Sequence, residues 1–439
     1  MAAPAAAAAA VATSATGFVP RTVFEVSPNI ARSYFLGHHK VALQAMRESL
    51  STIGLVLECR DARIPLTSRN PFLEQALGWQ DRIIVYTKSD LVAGVRTKWM
   101  RELQKRRMEE FHSVSAPSLS LSQLTEVKGI GKGGRIGEGG GGGGGGGRGR
   151  TEVIFTQEHN SRMIAELLDL IKQRAAAHDS LLGLRAFVVG MPNAGKSTLL
   201  NALRREGMKL PGLARTGTEP GITRKVSMPV RIVPAAGAPK DEDDNKDNNK
   251  ENNKGGRNAK REVPTGEETS GVGEGVYVLD TPGVFLPYVH DVESMLKLSL
   301  VGCVKDGIIP AETVADYLLF QLNLRNPGYY ARLSRPTNDV GEFLDTIARQ
   351  TGKLAKGGVP SPERAADWVV QRWRKGMLGH FMLDDISDEA LGARAERLRD
   401  EAEGRVTVPV SMNQARKLQK QARKAQVAAK RAAALDSGA

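Results

Sequence analysis

The chain alternates short unbroken apolar runs with stretches in which apolar residues recur every three or four positions. Residues 82–86, 153–155, 186–189 and 275–279 have the length and composition of buried strands. Residues 161–177 place Ile164, Leu167, Leu168 and Ile171 on one face, which predicts a helix packed against a core. The stretch Thr198-Leu-Leu-Asn-Ala-Leu203 opens another helix directly after the third run. From about residue 291 the pattern turns helical, with elements expected at 291–305, 310–322 and 338–350. Ser361-Pro362-Glu363 opens a fourth, with a capping hydroxyl, a first-turn proline and an acid near the positive helix end. Trp368 and Trp373 read as core residues of that helix. No 18-residue apolar span exists, which excludes a membrane-crossing helix.

The polar positions at the ends of these runs carry the chemistry. Between the strand 186–189 and the following helix lies Gly190-Met-Pro-Asn193-Ala194-Gly195-Lys196-Ser197, a G-x-x-x-x-G-K-S loop in the strand–loop–helix setting it requires. Its glycines let backbone N–H groups turn towards phosphate, and the helix start at Thr198 adds positive potential. Lys196 is placed to reach the β- and γ-phosphates and Ser197 to hold Mg²⁺. Downstream, Asp280-Thr281-Pro282-Gly283 closes the strand 275–279. Asp280 is a candidate for the Mg²⁺ shell, and the Gly283 N–H for contact with the γ-phosphate. In Pro220-Gly-Ile-Thr223-Arg224, Thr223 stands where a switch loop would meet Mg²⁺.

Upstream, the strand 82–86 ends in Thr87-Lys88-Ser89-Asp90, close to the guanine motif N-K-x-D. Asp90 would accept from guanine N1–H and the 2-amino group, a pattern adenine cannot offer, and Lys88 would lie along the base. Thr87 replaces the usual asparagine that ties this loop to the phosphate loop. For the backbone loop that reads guanine O6, Ser115-Ala116 is the tempting match, but no helix follows it. Thr156-Gln157 is preferred, because it sits between the strand 153–155 and the helix 161–177. The base-reading motif therefore precedes the phosphate loop, the reverse of the ordinary order in GTPases.

Composition adds inserts and a charge imbalance. Residues 113–151 include nine consecutive glycines, which cannot pack, and 236–273 are polar and mixed in charge; both are expected to be disordered inserts. The net charge is +13, well beyond what solubility needs, and suggests a nucleic-acid partner. Its densest part is the tail 401–439, where Arg416, Lys417, Lys420, Arg423, Lys424, Lys430 and Arg431 follow one another without an intervening acid. Such a helix-favouring segment would bind RNA through its backbone, since no aromatic recognition signature is visible. Cys59 and Cys303 make neither a disulfide framework nor a metal site and read as packing residues. Residues 1–29 are Ala-rich and acid-poor, with Arg21, which fits an organelle targeting segment loosely. The Ala run lacks the basic start of a secretory signal.

The permuted motif order, with Glu58-Cys-Arg60-Asp61-Ala-Arg63-Ile-Pro-Leu-Thr-Ser-Arg69-Asn70-Pro71, resembles the YlqF/RbgA-type circularly permuted GTPases. Phe35-Leu36-Gly37-His38 is similar to the F-P-G-H segment at the start of that family, with Leu36 in place of proline. The segment 298–306 resembles the family's entry into its helical C-terminal domain. The resemblance spans about 30–390. It implies GTP binding, slow hydrolysis to GDP and phosphate, and help in late assembly of the large ribosomal subunit, in mitochondria for the eukaryotic organelle branch. Many GTPases carry a water-orienting glutamine after D-x-x-G; this chain has Val284. The resemblance assigns the water-orienting role to His38, and the place of Asn193 implies K⁺ against the phosphates.

Together these readings give an α/β, circularly permuted P-loop GTPase domain, three-layered with a mostly parallel sheet, over 30–290. A smaller α-helical C-terminal domain follows over 291–400. Thr223 and Gly283 join His38 as catalytic candidates. Expected nucleotide contacts are Thr87, Lys88, Asp90, Thr156, Gln157, Asn193, Ala194, Gly195, Lys196, Ser197, Thr198 and Gly283. Ser197, Thr223 and Asp280 are the expected Mg²⁺ residues. The expected function is a GTP-hydrolysing assembly factor for the mitochondrial large ribosomal subunit, in the matrix, with peripheral association with the matrix face of the inner membrane as a further expectation. Two other readings stay open: a GTPase regulating a non-ribosomal process, and a GTP-binding scaffold with negligible hydrolysis.

Overall fold

Leu55–Asp61 (β1), Asp81–Thr87 (β2), Thr151–Phe155 (β3), Leu184–Gly190 (β4), Val230–Val233 (β5) and Val276–Asp280 (β6) form one sheet, in the order β3-β2-β1-β4-β6-β5. Every pairing is parallel except β5 with β6. The computed structural model describes residues 18–26, 30–32, 34, 37–77, 80–114, 150–178, 183–214, 217, 226–236, 272–286, 288–289, 291–403, 405, 416, 419–420 and 423. Thr223, nearly all of both inserts and most of the tail lie outside the described residues.

Helices cover both faces, as parallel strands require. Leu55, Leu57 and Cys59 alternate with Val56 along β1, and the two sets enter different cores. The first set packs with Ser161–Ala177 (α4) and Lys196–Met208 (α5). Val56, Phe187 and Val189 pack with Gly37–Ser49 (α1) and Pro71–Leu77 (α2). Ile84 and Tyr86 meet Met108 and Phe111 of Lys98–Val114 (α3). The architecture is therefore the expected three-layered, mostly parallel α/β domain. The helix predicted at 161–177 forms over those residues because Ile164, Leu167, Leu168 and Ile171 are all buried and Asn160 accepts from the Met163 N–H as its cap.

The C-terminal region holds Val292–Leu300 (α6), Ala311–Arg325 (α7), Val340–Thr351 (α8), Pro362–Arg374 (α9) and Asp388–Ala402 (α10). The element expected at 291–305 ends early, because the chain turns through Gly302 at φ 88°. Trp373 is buried in this region and Trp368 is partly buried against it, as expected of core residues. Cys303 is buried and unpaired, and burial pushes its thiol up to about 12.

The expected division near 290 is not a break in packing. Ile64, Met191 and Phe285 from the nucleotide-binding half lie in one core with α6 to α9. Conversely, Leu391 and Ala395 of α10 return to the core under β2 and α3. The N-terminal segment is not uniform either. Arg21 Nη2 lies 2.5 Å from Asp316 Oδ1 of α7. Phe24 meets the Tyr317 ring edge-on, with centroids 5.3 Å apart. Residues 18–26 thus belong to the folded body, because Phe24 has an aromatic surface to cover. Among the described residues no helix is long and apolar enough to cross a membrane.

Candidate guanine-nucleotide site

Strand order reverses between β1 and β4, where the neighbours of the central strands diverge, and ligands bind outside the carboxyl ends of such strands. The register brings those ends level: Asp61 pairs with Thr87, Cys59 with Gly190, Val188 with Asp280, and Tyr86 with Phe155. The motifs that follow β2, β3, β4 and β6 are therefore gathered at one edge, although they lie far apart in the chain.

The phosphate loop turns between β4 and α5. At Gly190 (φ 142°) a Cβ would sit 2.3 Å from the Cys59 carbonyl oxygen, so the loop can leave the sheet here only without a side chain. Gly195 (φ 84°) caps α5 from the left-handed region and lies against Thr87. Lys196 is buried, and its ammonium donates to the Met191 carbonyl over 2.8 Å. Burial pushes its pKa below the usual lysine range, while the nearby Asp280 carboxylate counters that shift. Ala194 is buried, and Thr198 lies in the first turn of α5 beside Ser197.

Ser197 Oγ donates to Asp280 Oδ2 over 2.5 Å. These two oxygens are the pair a Mg²⁺ shell would use: both are hard donors, and they already converge from the start of α5 and the end of β6. Among the described residues no group of three His, Cys, Asp or Glu could hold a metal alone. Nucleotide phosphates would have to complete such a shell. After Asp280, Gly283 packs on Pro192 of the phosphate loop, and the Val284 N–H donates to the Gly190 carbonyl over 3.1 Å. The side chain of Val284 is fully buried with Met46, Leu73, Phe187 and Val189, so it does not face the phosphates at all.

The guanine-reading turn is fastened to the phosphate loop twice. Thr87 Oγ1 donates to the Ala194 carbonyl over 2.8 Å, and Lys88 Nζ donates to the Asn193 carbonyl over 2.7 Å. The threonine thus makes the link for which asparagine is usual. Lys88 itself adopts φ 55°. Asp90 is exposed and accepts no hydrogen bond from a described residue. Thr156 is buried at the end of β3, and its carbonyl accepts from the Ser89 N–H over 3.2 Å, which places the Thr156-Gln157 loop beside Asp90.

His38 lies in the first turn of α1, whose Ala42 and Met46 share a core with Val284; its side chain lies outside the described residues. Thr223 also lies outside them, but Ser227, a few residues on, donates its N–H to the Asp280 carbonyl over 2.8 Å. Asn193 Nδ2 donates to the Gly302 carbonyl over 2.7 Å, so the phosphate loop reaches the helical region directly.

The sequence did not announce the role of residues 58–74. Arg60, Glu58, Glu74, Arg69 and Arg82 form a buried ion network, with Arg60 Nη2 2.6 Å from Glu58 and 2.9 Å from Glu74. Asp61 pairs with Arg63 at 2.7 Å and with Lys88 at 3.0 Å. Burial alone would raise the Asp61 pKa, but Arg63 and then Lys88 outweigh it and hold the carboxyl well below the usual range. The available signal was the alternation of charge in Glu58-Cys-Arg60-Asp61 within a strand that is buried throughout.

Comparison with known proteins agrees with this geometry. Residues 185–327 match the family described as "50S ribosome-binding GTPase". The "Mitochondrial GTPase 1" of Schizosaccharomyces japonicus is 33% identical over 81% of this chain and 91% of its own length. The "Mitochondrial ribosome-associated GTPase 1" of Mus musculus is 28% identical, covering 83% of this chain and 93% of that protein. A bacterial relative, the "Ribosome biogenesis GTPase A" of Bacillus cereus, is 25% identical, covering 83% and 96%. With a phosphate loop, a guanine-reading turn and a D-x-x-G turn converging at one sheet edge in permuted order, the chain belongs to the mitochondrial GTPase 1 family and is a circularly permuted, GTP-binding and GTP-hydrolysing enzyme.

Proposed function

We propose that this GTPase is an assembly factor for the mitochondrial large ribosomal subunit, acting as a nucleotide-controlled switch on ribosomal RNA and protein. The observation that carries the switch is the shared core. Phe285, two residues beyond Gly283, is buried among α6 to α9, and so is Met191 of the phosphate loop. A change in the D-T-P-G turn on loss of γ-phosphate would move an anchor of the helical region itself. The partner is inferred from the relatives' names, which describe ribosome-associated and ribosome-biogenesis GTPases. The net charge of +13 suits an RNA-rich surface.

In this reading Lys196 and the loop N–H groups bind the β- and γ-phosphates, and Asp90 selects guanine. Ser197, Asp280 and Thr223 form the protein side of the metal shell, where Mg²⁺ supplies charge neutralisation when bound. His38 orients the attacking water. The burial of Val284 removes one reason to suspect a non-hydrolysing scaffold, since that side chain has no access to the phosphates. Mitochondrial placement rests on the same relatives. If residues 1–29 contain a cleaved presequence, the cut falls before Val19, whose carbonyl accepts from Asn338 Nδ2 over 2.9 Å in the folded body.

The test is GTP hydrolysis by the purified protein in K⁺ and in Na⁺, alone and with mitochondrial large subunits, beside a His38→Ala variant. Hydrolysis raised by the particles and lost in the variant is the expected result. Tight GTP binding with no response to particles would remove the ribosomal reading.

A further inference from the structure

The guanine-reading turn is held from below by a chain of contacts that starts at Lys88 and runs through Asp61 and Arg63. Lys88 enters it in the left-handed region, an unfavourable backbone state for a side-chain-bearing residue unless its surroundings fix it. Its ammonium is fixed at two points, Asp61 Oδ2 at 3.0 Å and the Asn193 carbonyl at 2.7 Å. Asp61 is in turn gripped by the Arg63 guanidinium, with Nε on Oδ1 at 2.9 Å and Nη2 on Oδ2 at 2.7 Å. Arg63 lies over the ring of Trp373 in α9, 4.7 Å from its centroid, and its carbonyl accepts from the Leu383 N–H over 2.7 Å. The same helical region reaches the far side of the turn, where the His380 carbonyl accepts from the Ala93 N–H over 3.3 Å.

From this chain of contacts we propose that Asp61 is a positioning residue for guanine selection, holding Lys88 and hence Asp90 in place, and that Trp373 supports it through Arg63. The helical region thereby helps set how well the enzyme distinguishes guanine, not only how it meets a partner. The proposal rests on Asp90 as the guanine-selective carboxylate. A rigid fork suits such positioning, because Arg63 offers two parallel donors to one carboxylate and so fixes the orientation of Asp61 as well as its charge.

The test compares dissociation constants for GDP and inosine diphosphate, which lacks only the 2-amino group, on the full chain by titration calorimetry. Wild-type protein that fails to prefer GDP would overturn the Asp90 reading itself. Given that preference, Asp61→Glu keeps the charge but moves the carboxylate by one methylene, and it is expected to shrink the preference by about fivefold, less than loss of a whole charge-assisted hydrogen bond would, because Asp90 itself is kept. Trp373→Phe keeps an aromatic core residue and is expected to shrink it by about twofold. Equal weakening of both nucleotides, with the preference unchanged, is what a merely structural role would give, and it overturns the corresponding link. If Asp61→Glu does not fold, the double variant Asp61→Asn/Arg63→Met, which leaves no buried unpaired charge at this pair, decides by the same ratio.

Discussion

Thr87 shows how a departure from a motif can keep the motif's work. Its hydroxyl reaches the Ala194 carbonyl that an asparagine amide would otherwise be expected to bind. Replacing it by the isosteric Thr87→Val leaves that carbonyl without its donor. GDP affinity is expected to fall by about tenfold, the scale of one buried hydrogen bond, as read by nucleotide release. Val284 teaches the opposite lesson. The sequence correctly shows that it cannot orient water, but not that it points away from the site into an apolar core. Val284→Gln is therefore expected to gain no hydrolysis and to lose about 2 kcal/mol of stability by burying an amide, measured by chemical denaturation beside the GTPase rate.

His112 sets a pH dependence at the same scale. Burial lowers its pKa well below the ordinary value of 6.5, with Arg60 and Arg82 adding to the shift, and Tyr86 Oη lies 3.1 Å from its Nε2. In the unfolded chain it takes up a proton near pH 6.5, whereas in the fold it stays neutral. The unfolded state then binds more protons, so stability falls as pH drops below about 6.5, by up to about 1.4 kcal/mol per pH unit. Denaturation at pH 7.5 and 5.5 should show this loss, and His112→Gln should flatten it.

Among the elements, legibility followed the purity of the pattern. The strand ending at Thr87, the β4–α5 turn and α4 were plain because unbroken apolar runs or a single apolar face define them. β1 was not, because Glu58 and Arg60 interrupt its apolar run; only the tertiary network with Glu74, Arg69 and Arg82 makes a buried strand of it. The segment after β1 is fixed by a partner hundreds of residues away, which no local signal could reveal. Asp384 accepts from the Leu66 and Thr67 N–H groups at 2.9 and 2.7 Å and pairs with Lys297 at 3.3 Å. Asp384→Ala removes the acceptor for both amides and leaves the largely buried Lys297 with Glu293 alone, 3.5 Å away. A loss of about 3 kcal/mol is expected, with faster hydrogen exchange at Leu66 and Thr67 than elsewhere in the sheet.

For the whole molecule, motif order predicted the sheet edge on which the site assembles, while the joining of the two halves stayed hidden. Hydrophobic pattern says that a residue is buried and not against what: Met191, Ile64 and Phe285 lie in the nucleotide-binding half, yet they pack with α6 to α9. The N-terminal stretch was read by composition as a leader, though Phe24 and Arg21 are bound to α7. Deleting residues 1–26 uncovers Tyr317 and Phe320 and should lower the melting temperature by roughly 5 °C in differential scanning calorimetry.

The permuted order also dictates when, during synthesis, the enzyme can first exist. The base-reading turn leaves the ribosome early, but its anchors are made later: Asn193 and Ala194 with the phosphate loop, Trp373 near the end. A growing chain therefore carries the reader for 105 residues, with Asp61 beside it, before the Asn193 carbonyl that steadies Lys88 from the other side is made. Nucleotide retention becomes a certificate of completed translation, and nascent chains stalled before Asp280 should fail to retain GDP on a filter, whereas finished ones keep it.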